Sequence, residues 1–231
     1  MAFRLDPGFR GTREQSLTAL LWLQVAAVFF IGPLLAVGLL PPQTLQLALL
    51  LVAIASSVAA SERPRVRLGL LAWYGLSTAV HTLDRAYHPA PALHGLSEAV
   101  GVSFSAGITF ALARAVVRSE GVTRHHLEGA VAVYLNIALL FMQVYNLVLS
   151  VVPGAFAHVT AEGRGRAPEL LYFSLSTLTT SGFGDIVPVH PIARGLVTLE
   201  AVVGQVYIAT LLGLLVSAYA NRRLGPRELG E

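Results

Sequence analysis

A seven-residue segment between two long apolar stretches constrains this chain more than any other feature. Residues 179–185 read Thr-Thr-Ser-Gly-Phe-Gly-Asp, in which two glycines occupy alternate positions. Glycine adopts positive φ values that other residues avoid. A backbone that alternates between left-handed and right-handed dihedrals directs successive carbonyl oxygens to the same side. The segment is therefore predicted to be non-helical and to present a row of carbonyl oxygens.

The composition is that of an integral membrane protein. Hydrophobic residues make up 55% of the 231 residues, charged residues make up 13%, and the mean hydropathy is +0.66, whereas a soluble domain carries about 25% charged residues. The net charge is only +3, and the arginines gather between apolar segments, which argues for membrane topology rather than nucleic-acid binding. Because the chain has no Cys, disulfides and thiolate metal sites are excluded.

Six apolar segments are predicted to be membrane-spanning helices, each of which needs about 20 residues. They cover residues 16–40, 43–60, 68–84, 97–118, 126–151 and 191–220. Residues 63–67, Arg-Pro-Arg-Val-Arg, are predicted to be a turn, and residues 85–96 a loop. A seventh apolar segment, 168–179, is too short to span a membrane and leads directly into the glycine-containing segment.

The arginines orient these helices. Under this assignment, one side of the membrane holds Arg4, Arg10, Arg13, Arg63, Arg65, Arg67, Arg114, Arg118, Arg124, Arg222, Arg223 and Arg227, and the other holds Arg85, Arg164, Arg166 and Arg194. The positive-inside rule then predicts that both termini are cytoplasmic and that residues 168–185 enter and leave from the outer face. Non-helical backbone at membrane depth must be shielded by protein. One chain supplies one such strand, so a closed ring of carbonyls requires several copies related by cyclic symmetry.

From about Leu170 to Val216 the chain resembles the pore domain of the two-helix potassium channel superfamily. The residues that carry the resemblance are Thr180-Ser181-Gly182-Phe183-Gly184, which is similar to the Thr-Val-Gly-Tyr-Gly selectivity filter, then Asp185-Ile186-Val187-Pro188, Glu200, and Gly204-Gln205-Val206-Tyr207. The resemblance implies an all-α membrane protein with six transmembrane helices, a re-entrant pore helix and selectivity filter between the fifth and sixth helices, and a homotetrameric pore. In such a filter, rings of carbonyl oxygens replace the hydration shell of the permeating K⁺.

The same resemblance divides the chain and suggests its partners. Residues 1–15 are expected to form a cytoplasmic N-terminal segment, 16–125 a four-helix membrane domain, 126–220 the pore domain, and 221–231 a short cytoplasmic tail. The chain resembles a prokaryotic six-span member of the inner membrane without a cytoplasmic regulatory domain. Its expected partners are three further copies of itself and membrane lipids. Gating is expected to act through the helices, the lipid, pH or a separate regulatory subunit.

Roles for individual residues also follow from the resemblance. The ion-binding filter residues are Thr180, Ser181, Gly182, Phe183 and Gly184, with the Thr180 hydroxyl at the innermost site. The residues expected to support the filter are Tyr172, Phe173, Ser176, Thr179 and Asp185. Tyr172 and Phe173 match an aromatic pair behind the filter, and the Tyr172 hydroxyl is expected to donate to Asp185 at the outer mouth. The alternative for Tyr172 is an aromatic residue at the membrane interface.

Two residues depart from the usual filter sequence. Ser181 replaces the usual Val or Ile, which exchanges packing behind the filter for a hydrogen bond of ~1 kcal/mol. Phe183 replaces the usual Tyr and removes an outward-facing hydrogen bond. Ser176 stands where some relatives carry a Glu behind the filter. A weakly selective cation channel is therefore an alternative to a potassium-selective one.

The last apolar segment contains two residues of special interest. Gly204 matches a hinge glycine, and its alternative role is close helix packing. Glu200 is a carboxylate within an apolar helix, which is costly and indicates function by default. We expect Glu200 to form a polar cluster with Asn136, Gln143 and Asn146, which share a helical face, or with Ser176 and Thr177. Such a cluster either braces the pore or makes it sensitive to protonation, and its alternative is a structural hydrogen bond between subunits.

Other polar residues suggest no second site. The fourth helix has only Arg114 and Arg118, both at its cytoplasmic end, so weak or absent voltage dependence is expected, since a sensor needs several charges. His125, His126 and Glu128 are interpreted as an interfacial turn rather than a metal site. His81, Asp84 and Glu98 are interpreted as a local polar pairing, with a divalent-cation site as the alternative.

The sequence therefore predicts a passive, potassium-selective ion channel rather than an enzyme. It contains no nucleotide-binding loop, catalytic triad or zinc signature, and no cofactor is expected beyond K⁺ as the permeant ion. The alternatives from other classes are an ion-translocating subunit of a transport complex and a regulatory subunit of such a complex.

Overall fold

Helices account for most of the chain, as the apolar segments predict. The structure, a computed structural model, describes residues 7–40, 43–61, 64–87, 91–117, 124–159 and 166–223. Its helices are α1 (Pro7–Ala26), α2 (Gly32–Ala36), α3 (Gln43–Ala60), α4 (Pro64–Tyr87), α5 (Pro91–Val117), α6 (Arg124–Val151), α7 (Arg166–Leu178) and α8 (Pro191–Arg223). The strands β1 (Phe156–Ala157) and β2 (Val187–Pro188) form a small antiparallel pair in which Phe156 lies opposite Pro188.

Within the described part of the chain, four helical stretches are long and apolar enough to cross a membrane. These stretches are Ser16–Leu34, Gly95–Val117, Leu127–Val151 and Pro191–Ser217. In α3 the corresponding apolar stretch is the shorter Leu50–Ala60. The prediction of a helical membrane protein is therefore confirmed, while the count of six spans stays a prediction. The predicted tail 221–231 lies mostly outside the described residues, as do residues 1–6 of the N-terminal segment.

The first span contains a local widening of the helix. Between α1 and α2 the chain forms one π-helical turn, Ala27–Ile31, and the Gly32 N–H donates to the Ala27 carbonyl. Pro33 follows directly, and a proline inside a helix removes one backbone donor and crowds the preceding turn. The wider turn keeps the apolar helix continuous up to this proline.

Two short segments that were predicted to be non-helical are helical instead. Residues 63–67 were predicted to be a turn, but α4 begins at Pro64, and residues 85–96 were predicted to be a loop, but α4 continues to Tyr87 and α5 begins at Pro91. Proline is well suited to the first position of a helix, where its missing N–H would have no partner. Arg67, within the first turn of α4, donates from Nε to the Ser61 carbonyl at 2.6 Å, which satisfies a carbonyl just beyond the end of α3.

Helix α6 lies at the centre of the packing. It contacts α1 and α5 from the first part of the chain and α7 and α8 from the last part. The side chains that are most completely buried in this core include Leu20, Leu112, Ala138, Tyr145 and Leu170. Only residues 118–123 connect α5 to α6, a distance of at most about 25 Å in extended chain. In the single chain, α1 and α5 therefore pack directly on α6.

Candidate functional site

The short helix α7 is the platform of the site. It begins at Arg166 with Pro168 and Glu169 in its first turn, which suits the N-terminus of a helix, where a missing N–H and a negative charge are both favourable. One face is buried, and its buried side chains are Leu170, Leu171, Phe173, Ser174, Ser176, Thr177 and Leu178. The helix ends at Leu178, so the partial negative charge of its C-terminus points toward the segment that follows.

The backbone of that segment alternates in the way its glycines predict. Thr180, Gly182 and Gly184 have φ values of 58°, 55° and 79°, respectively, in the left-handed region. The amides of Ser181 and Gly182 both donate to the Ser176 carbonyl, at 2.8 and 3.1 Å, and the Thr180 amide donates to the Thr177 carbonyl at 2.9 Å. These bonds fix the start of the segment on the last turn of α7. All seven residues 179–185 are exposed in the single chain.

Side chains on either side of the segment contact one another. The rings of Tyr172 and Phe183 stack, with centroids 5.8 Å apart and an interplanar angle of 9°, and the Tyr172 hydroxyl lies close enough to the Asp185 carboxylate to interact with it. The Ser181 hydroxyl lies 3.0 Å from the Thr179 hydroxyl. Phe173, which was expected to lie beside Tyr172 behind the filter, is instead buried against Tyr145, with ring centroids 5.3 Å apart.

The outer end of the segment is tied to the strand pair. His158 Nδ1 lies 3.1 Å from the Asp185 carbonyl, and the Ala155 carbonyl accepts from the Val189 amide at 3.0 Å. His158 itself has a φ of 67°, an uncommon conformation for a residue other than glycine. Sequence periodicity carries no signal for this contact, because the contact joins two irregular loops 27 residues apart.

Glu200 lies in a fully buried cluster that links three helices. Its Oε1 atom accepts from the Ser174 hydroxyl of α7 and its Oε2 atom from the Tyr145 hydroxyl of α6. The Ser174 hydroxyl also lies 2.9 Å from the Ala138 carbonyl. The expected buried cluster is therefore present, but its partners differ from the expected ones.

The polar residues that were expected around Glu200 have other environments. Gln143 donates from Nε2 to the Ser105 hydroxyl of α5 at 2.6 Å. The buried amide nitrogen of Asn136 has no hydrogen-bond partner among the described residues. Ser176 donates to the Phe173 carbonyl of its own helix at 3.0 Å. The three amides were expected together because they share one face of α6. At Gln143, however, the side chain contacts α5.

Gly204 lies against the end of α7. A Cβ atom added at Gly204 would be 2.3 Å from the Leu178 carbonyl oxygen, so only glycine allows this approach. The same oxygen accepts from the Tyr134 hydroxyl at 3.0 Å. Helix α8 runs without interruption from Pro191 to Arg223. Gly204 therefore packs closely on α7 here, and a hinge at this position stays a prediction.

The remaining candidate residues lie far from this site in sequence. His81 Nδ1 and Glu98 Oε1 are 3.8 Å apart, as expected for a local polar pairing, whereas the side chain of Asp84 lies outside the described residues. Glu128 accepts from the Thr18 hydroxyl of α1. The side chains of His125 and His126 also lie outside the described residues, although both belong to the first turn of α6.

A family comparison covers the elements that build the site. Residues 137–221, from within α6 to near the end of α8, match the family described as ion channel. These residues are therefore similar to a family of ion channels. The resemblance seen in the sequence is confirmed, and the family is one of channels rather than enzymes.

Two relatives of this channel segment carry potassium channel names. It is 27% identical over 88 residues to the inward rectifier potassium channel Kirbac3.1 of Paramagnetospirillum magnetotacticum, a match that covers 38% of this chain and 26% of the relative. It is 32% identical over 67 residues to the protein named "Putative potassium channel protein RPA4233" of Rhodopseudomonas palustris, covering 29% of this chain and 16% of that protein. The chain thus aligns with about a quarter and about a sixth of the relatives it matches. No solved structure gives a significant match.

Several contacts within residues 137–221 were not predicted from the sequence. Tyr145 and Ser174 are the partners of Glu200, and Gln205 contacts Thr180. Gln205 could have been recognised as a candidate, because it is a polar residue within an apolar span. Tyr145 and Ser174 give no comparable signal, because tyrosine and serine are ordinary residues in helices of this kind.

Proposed function

We propose that this chain is a passive, potassium-selective channel that works as a homotetramer. Residues 180–184 line the filter, α8 lines the conduction path, and α7 with the following segment is re-entrant from the outer face. The protein spans the inner membrane of a prokaryote six times, with both termini in the cytoplasm. Ions pass by displacing one another along successive rings of carbonyl oxygens.

The observation that carries this proposal is the alternation of the filter backbone. Positive φ at Thr180, Gly182 and Gly184 is separated by residues without it, which is the pattern needed to direct successive carbonyls to one side. Glycine tolerates such φ values freely, but Thr180 does not, so the bonds from the segment to α7 stabilise this conformation. The channel family of residues 137–221 and the potassium channel names of the relatives support the same function.

The need for several copies follows from what one chain leaves uncovered. Phe183 is 69% exposed in the single chain, and the apolar part of α8 is only 11% buried. The exposed large apolar side chains of α8 are Ile192, Leu199, Val202, Val206, Ile208, Leu212, Leu214 and Val216. Fourfold symmetry about the filter covers much of this surface with neighbouring chains and closes each ring of carbonyls.

One observation favours a weakly selective cation channel as the second candidate. The Ser181 hydroxyl lies 3.0 Å from the Thr179 hydroxyl of the same segment. Its hydrogen bond is therefore made within the segment, and it does not replace the packing behind the filter that a Val or Ile side chain would provide. A filter that is less firmly held from behind discriminates less sharply between K⁺ and Na⁺, since its carbonyls adapt to either ion.

Flux measurements on purified protein in liposomes test both candidates. The expected result is a tetramer of the 24.5 kDa chain by light scattering and a K⁺ flux that exceeds the Na⁺ flux at least tenfold. Equal K⁺ and Na⁺ fluxes would support the weakly selective channel. A monomer, or a tetramer that carries neither ion, would contradict the proposal.

A further inference from the structure

The filter has a polar contact on its inner side that the proposed function does not use. Gln205 Nε2 of α8 lies 3.2 Å from Thr180 Oγ1. Gln205 follows Gly204, whose close approach to the Leu178 carbonyl fixes the distance between α8 and the end of α7. The position of the amide beside the filter therefore follows from the packing of the two helices.

The direction of this hydrogen bond follows from the chemistry of the two groups. An amide N–H₂ group is a donor only, whereas a threonine hydroxyl carries one hydrogen and two lone pairs. Gln205 therefore donates and Thr180 Oγ1 accepts. The bond occupies one lone pair of the oxygen and withdraws electron density from it, so less is available for a cation.

The backbone of Thr180 is held in place beside Gln205. Thr180 has a φ of 58°, and its amide is bonded to the Thr177 carbonyl at 2.9 Å. Both Thr180 and Gln205 are exposed in the single chain, so neither side chain is held by packing within one copy. The hydrogen bond is then the interaction within the chain that orients the hydroxyl.

We propose that Gln205 is a specificity-determining residue that lowers the affinity of the Thr180 hydroxyl ring for cations. The inference rests on the proposed function, in which this hydroxyl is the innermost ligand of the filter. Conduction requires sites that bind ions weakly enough to release them. A ring of donated hydrogen bonds at the inner end of the filter weakens the last site before the ion leaves toward the cytoplasm.

Binding of Ba²⁺ tests this inference without a need for ion flux. Ba²⁺ has nearly the radius of K⁺ and twice its charge, so it reports on oxygen rings of this size. Its half-saturating concentration is measured from the thermal stabilisation of the detergent-solubilised wild type and variants, since a ligand that binds the folded state raises its melting temperature. Gln205→Met preserves the length of the side chain and removes the donor, and Gln205→Leu serves if the first variant does not assemble.

The expected result is a half-saturating Ba²⁺ concentration lowered about tenfold in Gln205→Met, as for the loss of one to two kcal/mol of competing interaction. Thr198→Val is the control, because the Thr198 hydroxyl of α8 bonds the Arg194 carbonyl of its own helix and should leave Ba²⁺ binding unchanged. In a Thr180→Val background, Gln205→Met should have no further effect, because the hydroxyl through which it acts is absent.

Three outcomes would overturn the inference. They are unchanged Ba²⁺ binding in Gln205→Met, an equal shift with and without the Thr180 hydroxyl, and a wild-type protein that Ba²⁺ does not stabilise. Failure of the proposed function is a separate result, because it is read from the K⁺ flux of the wild type in liposomes.

Discussion

At the scale of single residues, one close contact requires glycine at position 204. The Leu178 carbonyl oxygen lies where a Cβ atom would be, at 2.3 Å, and it belongs to the last residue of α7. We expect Gly204→Ala to lower the free energy of unfolding of the assembled protein by about 1–3 kcal/mol, because overpacking displaces α8 from the filter helix. Thermal unfolding in detergent measures the change.

A matched control separates packing from bending. Gly213 lies on the same helix, and an added Cβ would meet nothing within 4 Å in the chain, so Gly213→Ala should not lower the stability. A Gly204→Ala variant with wild-type stability but altered ion flux would instead support a hinge at this position.

For Glu200, the number of polar contacts can be compared with the number of hydrogens that its partners can donate. Its two oxygens and the Ala138 carbonyl make three contacts with two hydroxyl groups, those of Tyr145 and Ser174. Each hydroxyl has one hydrogen, so the Ser174 hydroxyl shares its hydrogen between the Glu200 carboxyl group and the Ala138 carbonyl. We expect Glu200→Gln to assemble with wild-type stability, because its amide supplies both a donor and an acceptor.

The apolar counterpart of that variant should behave differently. Glu200→Leu leaves the buried hydroxyls of Tyr145 and Ser174 without this partner and should cost about 1–3 kcal/mol, measured by thermal unfolding of the purified protein. The dependence of K⁺ flux on pH distinguishes bracing from proton sensing. Tyr134 and Tyr145 of α6 are the titratable groups that interact with Glu200, and a flux profile shared by wild type and Glu200→Gln would exclude sensing through the carboxylate.

The residues of the site could be predicted from sequence only where the signal is local. The filter backbone follows from the spacing of Gly182 and Gly184, and Glu200 was recognised because a carboxylate is costly in an apolar helix. Its partners are separated from it by 55 and 26 residues in sequence. Which hydroxyls reach it depends on how α6, α7 and α8 pack, and helical periodicity within α6 alone does not contain that information.

At the scale of elements, apolar length predicted the helices well and proline predicted their boundaries poorly. Helices α3, α6 and α8 begin within two residues of the expected positions, 43, 126 and 191. Pro64 and Pro91 were interpreted as marks of a turn and a loop, but each is the first residue of a helix. A proline stops a helix that precedes it and starts one that follows it, so its presence locates a boundary without saying on which side the helix lies.

The contact between α7 and the filter makes a prediction at this scale. Tyr172 of α7 stacks on Phe183, and its hydroxyl interacts with the Asp185 carboxylate, so under the proposed function one side chain supports the filter in two ways. Tyr172→Phe keeps the stacking and removes the hydroxyl interaction, whereas Tyr172→Leu removes both. We expect the ratio of K⁺ to Na⁺ flux to fall severalfold in the first variant, as for a hydrogen bond of about 1 kcal/mol, and further in the second.

The control for this pair is a tyrosine hydroxyl away from the outer mouth. The Tyr207 hydroxyl donates to the Ala130 carbonyl at 2.6 Å, between α8 and α6, so Tyr207→Phe should lower stability without changing the flux ratio. An unchanged ratio in both Tyr172 variants would instead assign Tyr172 to the membrane interface.

At the scale of the whole molecule, the arrangement of the first helices around the pore is open to a direct test. Helix α5 packs on α6 of its own chain, and the Gln143 amide donates to the Ser105 hydroxyl at 2.6 Å across this contact. The natural chain has no Cys, so introduced thiols have no competing partners. The double variant Ser105→Cys, Gln143→Cys, treated with a short bifunctional thiol reagent in native membranes, should be cross-linked within single chains.

Denaturing electrophoresis gives the result, with each single-cysteine variant as a control for chance cross-linking. Packing within the chain leaves the double variant at the mobility of one chain, and protease cleavage in the 118–123 connection then fails to separate the two halves. Packing on a neighbour's α6 would give a ladder of two, three and four linked chains. The first result is expected because six residues connect α5 to α6, and so short a connection holds the two helices side by side.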